Sequence, residues 1–205
     1  HWLNEVNDSD LLRAADKLTA KIYTTGDKLI KESSNTDKIF FIARGSVAIS
    51  AGGELIDIAG EGSIIGEISV LTGRSTNASV IADSPLTVFT INSSDVNHLL
   101  EESEGLYKAF WKAAGERIAS GQLKIMEPYC FMRPKKFKRW VSEGKLFTSA
   151  EKKEFVLADE VAVLITGKAN IKGSSNTIIA PKVLNVSQFV LADDSMVYIC
   201  QKEEE

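Results

Sequence analysis

Apolar side chains recur along this chain with two periods, and the switches between them divide it into segments. Leu11, Leu12, Ala15 and Leu18 follow Asn7-Asp8-Ser9-Asp10, so one apolar face stands behind a run of capping residues and predicts a short opening helix. From Lys21 to about Ile91 the period shortens to two. Runs at Lys21–Tyr23, Lys28–Ile30, Lys38–Ile42, Ser46–Ser50, Leu55–Ile58, Ser79–Ala82 and Leu86–Ile91 are separated by Gly, Asp, Asn and Ser turns. That cadence predicts an antiparallel roll or sandwich. Ser93 or Ser94 then offers a cap for Val96, Leu99 and Leu100. After Gly105 a longer helical stretch carries Leu106, Phe110, Ala113, Ala114 and Ile118 to about Met126, and Pro128 closes it.

A basic segment follows, Arg133-Pro134-Lys135-Lys136-Phe137-Lys138-Arg139-Trp140, with five cations and two aromatics. Its composition predicts a linker over residues 128–154, either solvated or in contact with anionic lipid headgroups or an acidic partner. From Phe155 to Cys200 the pattern is β-like again, and it echoes the first β region. Phe41-Ile42-Ala43-Arg44-Gly45-Ser46-Val47-Ala48-Ile49 aligns with Val163-Leu164-Ile165-Thr166-Gly167-Lys168-Ala169-Asn170-Ile171, and Val80-Ile81-Ala82-Asp83-Ser84 aligns with Val190-Leu191-Ala192-Asp193-Asp194. Gly45 and Asp83 are 38 positions apart but Gly167 and Asp193 only 26, so the second copy is 12 residues shorter. The expectation is a small ligand-less β domain over 155–205, a degenerate half-repeat of the first.

Composition narrows the chemistry. The net charge of -4 argues against a nucleic-acid binder that works through a general positive field. Two cysteines, Cys130 and Cys200, form neither a disulfide framework nor a C-x-x-C knuckle, and with only His1 and His98 besides, a metal site is not expected. No triad or paired catalytic carboxylates stand out, so the chain is not read as an enzyme. No apolar run approaches the roughly 20 residues that cross a bilayer. The chain opens on His1-Trp2-Leu3 without an initiator methionine and reads as a piece of a longer polypeptide.

The first β region is interrupted by Gly60-Glu61-Gly62-Ser63-Ile64-Ile65-Gly66-Glu67-Ile68-Ser69-Val70-Leu71-Thr72-Gly73-Arg74-Ser75-Thr76-Asn77-Ala78-Ser79. Such an insert suits a phosphate cradle, because glycines let backbone N–H groups converge on an anion and small hydroxyl or amide side chains complete the donors. Glu67 could accept a hydrogen bond from a sugar hydroxyl.

At these residues the chain resembles the cyclic nucleotide-binding domain family. Gly66-Glu67-Ile68-Ser69-Val70-Leu71 and Ala78-Ser79-Val80 fall at the spacing of the family's cassette. Tyr23-Thr24-Thr25-Gly26-Asp27-Lys28-Leu29-Ile30 resembles its Gly-Asp strand turn, and Phe40-Phe41-Ile42-Ala43-Arg44-Gly45-Ser46-Val47 its following strand. The resemblance covers about residues 3 to 125 and implies a mainly β fold: a β-roll with flanking helices over 1–127.

By resemblance, cyclic AMP or cyclic GMP would meet Gly66, Glu67, Ile68, Ser69, Arg74, Thr76, Asn77 and Ser79, with Glu67 on the ribose and the helix from Glu104 closing over the base. One departure stands out. Thr76 occupies the position of the family's phosphate-binding arginine, and Arg74 lies two residues early. Either the site binds nucleotide with Arg74 compensating, or the cassette is degenerate and the roll is a docking or dimerisation module, which would pair with a second copy of the chain. The cassette resembles those of sperm-type sodium/proton exchangers and hyperpolarisation-activated channels. The expectation is therefore a regulatory domain at the cytoplasmic face of a membrane, acting on the transmembrane portion of the same polypeptide, with an exchanger favoured over a channel. No cofactor is expected beyond the nucleotide ligand.

Overall fold

The computed structural model describes Leu3 and residues 6–202. His1, whose role in a metal site the sequence made unpromising, lies outside them. Two compact units follow each other along the chain, His1–Phe110 and Trp111–Glu205.

The first unit opens with helix α1 (Asp8–Ala15), capped by Asn7, whose side-chain oxygen accepts the amide of Asp10 at 2.9 Å. Eight strands follow: β1 (Thr19–Tyr23), β2 (Lys28–Ile30), β3 (Lys38–Arg44), β4 (Val47–Ala51), β5 (Glu54–Ala59), β6 (Ile64–Ile65), β7 (Ser79–Ala82) and β8 (Leu86–Asn92). A six-residue helix, α2 (Glu67–Thr72), lies between β6 and β7; α3 (Ser93–Glu102) comes after β8, and α4 (Glu104–Leu123) runs from the first unit into the second. The strands form two antiparallel sheets in the orders β1-β8-β3-β6 and β2-β7-β4-β5.

Strand β3 shows why the fold holds. Phe40 and Ile42 point into the roll with Val47, Val80, Leu86 and Val88, while Ile39 points out against Val96, Leu99 and Leu106 of the helices. Burial on both faces explains the near-continuous apolar run Ile39-Phe40-Phe41-Ile42. Burying one such side chain contributes roughly 1.5–3 kcal/mol. The Gly26-Asp27 turn is pinned by the Asp27 carboxylate, which accepts the Thr24 amide at 2.7 Å and hydroxyl at 2.9 Å. These two bonds hold its pKa below the usual carboxylate value.

The second unit repeats this architecture strand for strand. After a 3-10 turn (Tyr129–Phe131) and helix α5 (Pro134–Ser142) come β9 (Lys145–Thr148), β10 (Glu154–Val156), β11 (Glu160–Thr166), β12 (Lys168–Ile171), β13 (Thr177–Ile179), β14 (Lys182–Leu184), β15 (Gln188–Leu191) and β16 (Met196–Gln201). Their sheet orders, β9-β16-β11-β14 and β10-β15-β12-β13, reproduce those of the first unit when each strand is matched to the one eight places earlier. The irregularity that breaks the β3–β8 register between Ile42 and Arg44 returns between Leu164 and Thr166. Gly45 and Gly167 follow it with φ of 92° and 76°.

Two expectations are corrected here. The half-repeat is a complete eight-stranded roll that begins at Lys145, ten residues before the expected boundary. The basic linker is not a linker: Pro134 starts helix α5, which buries Phe137, Trp140 and Val141. Trp140 stacks on Tyr129 with ring centroids 4.7 Å apart and donates its indole N–H to the Gln201 carbonyl at 2.6 Å. Counting charge along the sequence hid an apolar stripe at helical spacing.

Candidate functional site

The main difference between the rolls lies between the sixth and seventh strands. In the first unit this connection is the 13 residues Gly66–Ala78, containing α2; in the second it is the three residues Asn185–Ser187. The cassette predicted from the glycines is this extra piece.

Gly66 starts it with φ of +88°, and a Cβ there would sit 2.7 Å from the Lys38 carbonyl oxygen of β3, so only glycine fits without displacing backbone. Gly73 ends α2 in the left-handed region, φ 65°. Glu67, Ile68 and Ser69 thus share one helical turn set down on β3. Glu67 is 1% exposed, and its Oε1 is a buried oxygen with no hydrogen-bond partner within the protein. Ile68 and Ser69 are half-buried, whereas Arg74 and Asn77 are exposed.

Thr76 is buried, and its hydroxyl lies 2.5 Å from the Lys31 carbonyl and 3.0 Å from that of Ser34, either of which can take its proton, while it accepts the Ser34 amide at 3.1 Å. The backbones add Thr76 N–H to Ser34 O and Ser33 N–H to Thr76 O, both 2.8 Å. The Ser79 hydroxyl accepts the Glu32 amide at 3.1 Å. The cassette exit is therefore zipped to the β2–β3 loop. Sequence reasoning missed this zipper. Its only signal is the hydroxyl-rich run Ser33-Ser34-Asn35-Thr36, which bears no local relation to Thr76.

Gly66, Glu67, Ile68 and Ser69 are brought together on α2; Thr76, Asn77 and Ser79 lead into β7; Arg74 sits on the loop between. The arrangement is a short helix bounded by two left-handed glycines, with a buried hydroxyl rather than a cation at position 76.

Residues 20–103 match the family model described as "Cyclic nucleotide-binding domain". The matched residues all lie within the first unit. Among curated relatives, the rabbit (Oryctolagus cuniculus) potassium/sodium hyperpolarization-activated cyclic nucleotide-gated channel 4 is 31% identical over 102 residues, 50% of this chain and 9% of the channel. Human channel 2 of the same name is 31% identical over 102 residues, 12% of its length. The chain thus spans about a tenth of these relatives. Among solved structures, the regulatory subunit of a cAMP-independent protein kinase A from Trypanosoma brucei matches 98% of this chain and 78% of its own, with TM-score 0.51 and 15% identity. A cAMP-bound PfPKA-R matches 98% and 77%, with TM-score 0.50 and 13% identity. At these identities the likeness is one of fold, and it extends past the cyclic nucleotide-binding domain over the second roll.

Where the cassette is missing, the second unit has a cavity of about 690 Å³. Its walls include Glu160 and Val161, the counterparts of Lys38 and Ile39 beneath the cassette, together with Leu184 and the short connection Asn185–Ser187. In the first unit Val70 and Leu71 of α2 pack against the equivalent core.

Proposed function

We propose that this chain is the regulatory region of a cation-transporting membrane protein, and that its first unit senses a cyclic nucleotide. The observation that carries the reading is the cassette itself: Gly66 locked by the Lys38 carbonyl, and Glu67 held on the turn that follows, within the residues that match the cyclic nucleotide-binding domain model. In this reading backbone amides of Gly66–Ser69 meet the cyclic phosphate, Glu67 the ribose, Arg74, Asn77 and Ser79 line the approach, and α4 closes over the base. Ligand then shifts the population of α4 positions and biases the attached transporter, by no more than its differential affinity for the two states. A sodium/proton exchanger is the parent favoured by the cassette and by the further β domain. The curated relatives named above favour a channel.

Thr76 sets the expected strength. A hydrogen bond to a charged group is worth about 1.5–3 kcal/mol, so a cradle without its arginine binds on the order of a hundredfold more weakly. Thermal unfolding across a titration of cyclic AMP and cyclic GMP to millimolar tests this, since a ligand that binds only the folded state stabilises it by RT ln(1 + [L]/Kd). A saturable rise that Glu67→Ala abolishes supports the sensor. A flat titration retires it and supports a second reading, favoured by the Thr76 zipper: a cassette closed by its own hydrogen bonds, in a roll that acts as a nucleotide-free docking module.

A further inference from the structure

Helix α5 presents a cationic face, on which Arg139 pairs with Glu143 at 3.1 Å. At 100° per residue, Lys135, Lys136, Lys138 and Arg139 occupy one side of the helix, opposite the arc that buries Phe137, Trp140 and Val141. All four are exposed, and the helix is fixed from behind by the Tyr129–Trp140 stack and the Trp140 bond to Gln201. The cations are thus held on a rigid scaffold.

Two further observations point to a ligand. Residues 124–139 carry six Lys or Arg and one acid, Glu127, a net of +5 in a chain of net -4, so the rest of the molecule carries -9. The same stretch holds two of the most exposed large apolar side chains among the described residues, Phe131 at 77% and Ile125 at 80%. We infer that this segment is a docking surface for an anionic lipid bilayer, with the α5 cations on the headgroups and Phe131 and Ile125 entering the interface. Anionic leaflets attract juxtamembrane basic clusters, and apolar anchors add the burial that charge alone lacks. A surface that offers negative charge beside an apolar layer suits both the cations and the two apolar side chains, and an anionic bilayer is such a surface.

The test uses the full chain in co-sedimentation with vesicles of phosphatidylcholine alone and with about a third phosphatidylserine. The expected result is retention by the anionic vesicles only, weakened steeply by salt. The double variant Lys135→Glu/Lys138→Glu is expected to bind at least about tenfold more weakly, and Phe131→Ser several-fold more weakly with the salt dependence kept. Both sites are on the surface, and unchanged Trp140 fluorescence reports an intact helix. Equal binding to both vesicle types, no binding, or an unaffected double variant overturns the inference. So does displacement by inorganic phosphate beyond that by chloride at equal ionic strength, which marks a soluble-phosphate site, or capture by polyglutamate without capture by vesicles.

Discussion

Thr76 shows what a single residue reveals and conceals. Its identity was readable as a departure from the cassette pattern, because the neighbouring glycines fix the spacing. Its job was not readable, because Lys31 and Ser34 lie more than 40 positions away in sequence. Asp10 is similar. Read as one of several capping residues, it is buried between helices: Ser103 donates its hydroxyl to the carboxylate, Arg13 pairs with it, and the Asn7 amide donates at 2.9 Å. Ser103 also accepts the Leu106 amide at 3.1 Å, so the carboxylate ties α1 to the α3–α4 corner. The Ser103 bond, then Arg13, lowers the folded pKa of Asp10. A carboxylate depressed in the folded state adds stability above its unfolded value, near 3.9. That stability is lost as pH falls below this value and through the lower folded one. In urea titrations from neutral to acidic pH, Asp10→Asn is expected to lower the midpoint near neutrality and to flatten its acid dependence. Parallel curves for the two proteins would refute the assignment.

At the scale of elements, the strands of the first roll were legible except β6, since two residues give no period, and β9 was hidden inside the expected linker. The residues Arg133–Trp140 were legible as charge but not as a helix, because their buried positions, Phe137 and Trp140, only make sense at 3.6 residues per turn. The turn glycines were legible and can be tested. A Cβ on Gly45 would lie 2.4 Å from the Pro85 carbonyl oxygen at a φ of +92°. Gly45→Ala is expected to cost on the order of 1–3 kcal/mol or more in denaturant unfolding, whereas Gly53→Ala, at φ +86° with open space around it, pays only the backbone strain and should cost less. Equal losses would show that the Pro85 contact is not what fixes the β3–β4 turn.

For the whole molecule, each cysteine reports on the second unit. Cys130 is exposed and Cys200 buried, and burial, reinforced by the nearby Glu116, pushes the Cys200 thiol up to about 12. Native protein at about pH 8 is expected to expose one reactive thiol to a disulfide reagent and denatured protein two, because the thiolate is the reactive form. Gly167→Ala, whose Cβ would lie 2.2 Å from the Ser195 hydroxyl oxygen, is expected to open Cys200 to labelling, and Gly45→Ala, in the other roll, to leave it protected. Labelling of Cys200 at the same rate in both variants would contradict the two-unit division. The sequence by itself determined the β-roll, the repeat and the cassette, because periodicity, turn glycines and motif spacing are local and survive in one dimension. Only the tertiary structure decided that the second roll is complete, that the basic segment is a packed helix and that Thr76 closes a zipper. Those outcomes rest on pairings between distant strands and loops, and no local pattern encodes which partner a strand edge or a hydroxyl will find.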